Sequence, residues 1–71
     1  MTFLEAYAAI AVMFPGKKRE ITHAVQVHSN GDVTEACTVH IYDFAIIAGK
    51  SFEWVVGELA EAKRLTEEST P

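Results

Sequence analysis

Seventy-one residues, 49% of them hydrophobic, make one small domain. At that size a lone core supplies only about 3–5 kcal/mol, so a further staple such as oligomerisation is expected. Six basic against ten acidic residues leave a net charge of −4, and residues 51–71, with two basic and five acidic groups, carry −3 of it. A diffuse negative surface repels phosphate backbones, which disfavours nucleic acid and anionic membranes as partners. The single cysteine excludes an internal disulfide and fits a reducing, cytoplasmic setting.

Thr2-Phe3-Leu4-Glu5 has the form of a capping box, in which a threonine hydroxyl and a glutamate carboxylate satisfy free backbone donors at a helix start. A helix from about Phe3 to Met13 follows. Phe3, Tyr7, Ile10 and Phe14 share one stripe, and Leu4, Ala8, Ala11 and Val12 widen it until Glu5 is the only charge. A helix apolar nearly all round is buried on more than one side, and in so small a domain the second side is available to another subunit. The run lacks a positive leader, contains Glu5 and is short of the roughly 20 residues a membrane span needs, so it is read as structure rather than as a signal peptide. Pro15-Gly16 ends it, because proline cannot continue the hydrogen-bond ladder. Lys17-Lys18-Arg19 then reads as a solvated loop, the alternative being a contact for an acidic partner or nucleic acid.

Between Glu20 and Tyr42 the residues sort by parity. Odd positions carry Ile21, Val25, Val27, Val33, Cys37, Val39 and Ile41; even positions carry Thr22, Ala24, Gln26, His28, Thr34, Ala36, Thr38, His40 and Tyr42. A period of two marks half-buried strands. A two-residue Asn30-Gly31 loop would pair odd with even residues, whereas the three-residue loop Ser29-Asn30-Gly31 keeps parity and puts glycine where positive φ is needed. The register then pairs Val27 with Val33, Ala24 with Ala36, Thr22 with Thr38 and Ile21 with Val39.

Asp43 turns the chain into a short third strand, Phe44 to Ala48, an apolar run of ambiguous period closed by Gly49-Lys50. Ser51 has the place of an N-cap, with Glu53 in the first turn of a second helix that runs to about Glu67. Its core stripe is Phe52, Val55, Val56, Leu59 and Ala60, and Gly57 is expected to permit close packing on the sheet. Ser69-Thr70-Pro71 should fray. The fold expected is a single α+β domain over residues 1–71, in α-β-β-β-α order, with a three-stranded antiparallel sheet and both helices on its odd face.

The even face is left open, mildly polar, with the small pair Ala24 and Ala36 at its centre. Such a face admits close approach of another surface. The contact set expected for a protein partner is therefore Thr22, Ala24, Gln26, Thr34, Ala36, Thr38, His40 and Tyr42, joined by Glu35 and Trp54. Glu35 interrupts the inward row opposite Val25. It is either solvated at a hairpin tip that projects past the helices, or a carboxylate seeking a partner's cation. Trp54 lies off the core stripe of its helix and is either an interface anchor or packed along the first helix.

His23 opposes Cys37 on the inward face, a juxtaposition that a Cys/His nucleophilic pair or half a zinc site would need. A reactive thiolate wants an accessible electropositive setting, and structural zinc wants four ligands. Both residues are therefore read as core packing, with no catalytic residue, metal or cofactor expected. His28 and His40 are distant along the open face and read as surface, with Glu20 facing His40 as a cross-strand pair. The sequence contains no glycine-rich phosphate loop and no Ser/His/Asp set.

The capped helix ending in Phe14-Pro15-Gly16-Lys17, the valine-rich hairpin turning at Ser29-Asn30-Gly31-Asp32, and Gly49-Lys50-Ser51 opening the last helix together resemble the small accessory proteins of phages and prophages. That resemblance carries over no functional residue. It implies a stoichiometric binder rather than a catalyst, with inhibitors of bacterial defence complexes, such as anti-CRISPR proteins, among the group. The function expected is a non-enzymatic protein-interaction module, self-associating as a homodimer and engaging a host protein. The alternative is a small nucleic-acid-associated regulator using Lys17-Lys18-Arg19.

Overall fold

The computed structural model describes residues 1–68, so the expected fraying of Ser69-Thr70-Pro71 lies outside the described residues. The order is α1 (Phe3–Met13), β1 (Arg19–Val27), β2 (Val33–Ile41), β3 (Ala45–Gly49) and α2 (Phe52–Glu68). The three strands form one antiparallel sheet in the order β1-β2-β3, an α+β fold with the expected connectivity. No helix among the described residues is long and apolar enough to cross a membrane.

Local chemistry sets each boundary. The backbone N–H of Glu5 donates to Thr2 Oγ1 at 3.1 Å and that of Thr2 donates to Glu5 Oε1 at 2.9 Å, so both arms of the capping box are made. These bonds hold the Glu5 carboxyl below its ordinary range. The hairpin closes as its parity requires. Gly31 N–H donates to the His28 carbonyl and His28 N–H to that of Asp32, which leaves a three-residue loop with Gly31 at φ +92°. The register runs from Arg19 against Ile41 to Val27 against Val33. Asp43, at φ +62°, makes the tight turn into β3, which begins at Ala45, one residue later than the sequence suggested. At α2 the Trp54 N–H donates to Ser51 Oγ at 3.2 Å, the expected cap.

The core lies on the odd face, where Cys37, Val39 and Ile41 of β2 meet Ala6, Ile10 and Phe14 from the first helical segment and Phe52, Val55 and Leu59 from α2. Phe14 against Phe44 at 4.9 Å and Phe3 against Phe52 at 5.9 Å close its two ends. Three sequence expectations need correction. The buried line of α1 is Ala6-Ile10-Phe14, with Phe3 and Tyr7 turned partly to water. Ala60 is exposed rather than in the stripe of α2. Gly57 has nothing within 4 Å of where a Cβ would stand, so it permits no close packing; Gly49 does, beneath the ring of Trp54.

The helices do not cover the whole odd face. β3 is five residues long and pairs only with Cys37–Ile41, so Val33–Ala36 of β2 have no third-strand neighbour. α2 starts just after β3 and so runs back over the covered half of the sheet. The distal half of the hairpin is left as a bare two-stranded ribbon. The molecule measures 53 × 20 × 20 Å, and its radius of gyration is 13.7 Å, where a compact chain of this length would have about 11 Å.

Candidate functional site

The ribbon is two-faced and uncovered on both sides. Its odd face carries Val25, Val27 and Val33, which the parity pattern assigned to the core, yet they are 55%, 73% and 57% exposed. The correction has a simple cause. Parity sorts side chains between faces, but it does not say how far along a face the second layer extends. The readable signal was the length of the third strand, since a five-residue β3 cannot shield a nine-residue β2.

The even face is open as expected. Thr22, Ala24, Gln26, Thr34 and Ala36 are exposed, with Ala24 and Ala36 paired at its centre. Thr38, His40 and Tyr42 are half-buried at the other end. There the His40 and Tyr42 rings stack at 4.0 Å, Lys18 Nζ lies 4.8 Å above the tyrosine ring, and the Tyr42 hydroxyl donates to Glu20 Oε1 at 2.5 Å. Glu20 faces His40 across the ladder as expected, while its carboxylate accepts from Tyr42, and this bond pushes the Tyr42 phenol above its ordinary pKa. At the tip His28 Nε2 meets Thr34 Oγ1 at 3.0 Å.

The basic cluster is not a free loop throughout. Arg19 opens β1, half-buried, with its guanidinium 5.3 Å from the centre of the Tyr7 ring and donating to the Lys17 carbonyl. Trp54 is 51% exposed, and its ring lies over Gly49 of β3, a packing partner the sequence reading did not name. With Ala48, Lys50 and Ser51 it lines a shallow open groove.

Where the helical layer stops, His23, Glu35 and Cys37 come together. His23 faces Cys37 across the ladder, and Glu35, two residues before Cys37 on the same strand, brings Oε2 to 3.3 Å from His23 Nε2. One donor atom from each residue lies within 4.8 Å of the other two. Cys37 is 1% exposed, while the side chains of His23 and Glu35 are 33% and 51% exposed. Burial first, and then the nearby Glu35 carboxylate, raise the Cys37 thiol above its ordinary pKa. Glu35 is solvated at the projecting hairpin, but it has the cross-strand neighbour His23 that inspection of its chain neighbours missed.

No protein-family model, curated protein or solved structure matches this chain.

Proposed function

We propose that the protein is a non-enzymatic interaction module that acts by stoichiometric binding, self-associates through the odd face of its ribbon and presents the even face to a partner protein. The observation that carries this reading is the exposure of Val25, Val27 and Val33 in one row beyond the helices. Stable domains bury an apolar sheet face beneath a second layer, and a lone two-stranded hairpin is marginal in water. The ribbon lacks that layer.

A second copy turned about a two-fold axis supplies it. Two ribbons laid odd face to odd face, about 10 Å apart, put each valine row against the other, and each copy's helices then flank the partner's ribbon end. The contact is isologous, so both exposed rows are covered at once. The even face remains free, and Ala24 and Ala36 at its centre let another protein approach the backbone closely. A host protein, such as a component of a bacterial defence complex, is the partner class that the resemblance to phage accessory proteins suggests.

The nucleic-acid reading has less support, because Lys18 and Arg19 lie against Tyr42 and Tyr7 on a chain of net charge −4. Sedimentation equilibrium tests the proposal. The wild-type chain is expected to dimerise at micromolar to high-micromolar concentration, and Val27→Lys to sediment as a monomer with unchanged far-ultraviolet circular dichroism. A wild-type chain that stays monomeric throughout that range would remove the self-association claim.

A further inference from the structure

We propose that His23, Glu35 and Cys37 form a zinc-binding site at the root of the ribbon, with three protein donors and a fourth position open to water. The inference does not depend on self-association. Three donors of different chemistry, imidazole, carboxylate and thiol, are set together by the strand register. His23 and Cys37 are a direct cross-strand pair, and Glu35 shares their face two residues along.

The donor atoms, within 4.8 Å of one another, must close to about 3.3–3.7 Å to surround a tetrahedral Zn²⁺ at its ordinary bond lengths. The His23 and Glu35 atoms already stand 3.3 Å apart. The two distances from Cys37 Sγ to the other donors, neither beyond 4.8 Å, are the ones that have to shorten. The His23 ring is steadied from behind by Phe52, whose centroid is 5.1 Å away, edge to face.

Charge also fits. A thiolate and a carboxylate beside neutral imidazole carry −2, which a divalent ion cancels. On binding, the thiol proton leaves to solvent, the His23 ring gives up the Nε2 hydrogen that faces Glu35 and takes the form protonated on Nδ1 alone, and the freed Nε2 lone pair goes to the metal. Zinc compensates the cost that burial otherwise places on the thiolate. Sulfur and imidazole donors select against Ca²⁺ and Mg²⁺, which take oxygen ligands. In the single chain the ion enters from the ribbon side, where His23 and Glu35 face water and the helical layer has ended, while Cys37 lies under the last of the core.

The full chain, metal-free and held in a non-thiol reductant, is titrated with Co²⁺ as a spectroscopic probe and then with Zn²⁺. One ion per chain is expected. Near-ultraviolet thiolate-to-cobalt absorption and the intense visible bands of four-coordinate cobalt should appear, then bleach as zinc replaces cobalt. His23→Gln and Glu35→Gln, both at positions outside the core, should keep the wild-type circular dichroism and each weaken binding by at least about tenfold. Cys37→Ser should lose the charge-transfer band. Absence of saturable cobalt binding, unchanged affinity in both Gln variants, or one ion per two chains would each overturn the assignment.

Discussion

Val25 and Val39 project from the same face of one two-stranded ladder and end in different media, Val39 fully enclosed and Val25 55% exposed. β3 and the two helices screen only the end of the hairpin nearest Asp43. Beyond Cys37 the odd face, interrupted by Glu35, continues without a cover, and Val25, Val27 and Val33 face water. The division separates a covered half of the sheet from a bare one.

The two valines should therefore respond differently to truncation. Val39→Ala removes two methyl groups from a closed core and is expected to cost about 1.5–3 kcal/mol. Val25→Thr should change the stability of the isolated monomer by no more than about 0.5 kcal/mol. Urea titrations at a concentration well below that of self-association check both, and equal losses at the two positions would contradict the partition.

Two glycines make an opposed pair. A Cβ on Gly49 would stand 2.5 Å from Trp54 Cε3 and 3.2 Å from Val55 Cγ2, so Gly49→Ala should destabilise by about 1–3 kcal/mol and shift Trp54 fluorescence as the ring is displaced. Gly57→Ala, in an exposed helix position with open space around it, should stabilise by about 1 kcal/mol. Thermal unfolding of both variants gives the comparison.

Thr2→Ala should cost about 1 kcal/mol, since it removes the side-chain arm of the cap on α1. The Glu5 carboxyl has its folded pKa depressed, so its contribution is present above the unfolded value and lost as pH falls through the folded one. A Glu5→Gln variant should consequently show a shallower loss of stability than wild type below pH about 4.5. Acid titrations followed by circular dichroism measure the difference.

At the alkaline end the Tyr42–Glu20 bond sets the sign. A phenol whose folded pKa is raised contributes stability that is complete below its unfolded value, about 10, and lost as pH rises through the folded value. In a Tyr7→Phe background, which leaves Tyr42 as the one tyrosine, the phenolate absorbance should rise later in the folded chain than in urea. Glu20→Gln should bring the two curves closer, and identical curves in the parent would refute the pairing.

Much of the fold was legible because short-range rules act on named residues. Thr2 and Glu5 announce a helix start, and Gly31 is the loop residue whose positive φ keeps Val27 opposite Val33. Pro15-Gly16, Asp43 and Ser51 mark the three remaining connections. What parity could not reveal was the extent of the covering layer, which depends on where β3 stops against β2 and on the direction in which α2 leaves Ser51. The same gap hid the site. His23 opposite Cys37 follows from the register, but the approach of Glu35 depends on a side chain reaching diagonally across the ladder at the place where the cover ends. Trp54 over Gly49 likewise needed the path of the chain through Lys50 and Ser51, and its place off the core stripe was all the helical spacing contained.

In the proposed dimer a second copy covers the bare odd face of the ribbon. Isotope-filtered nuclear Overhauser spectra on a mixture of labelled and unlabelled chains test it at the atoms concerned. Contacts between the methyl groups of Val25, Val27 and Val33 of one copy and those of the other are the result expected. Cross-copy contacts confined to α1 or the even face, or none at concentrations near a millimolar, would contradict it.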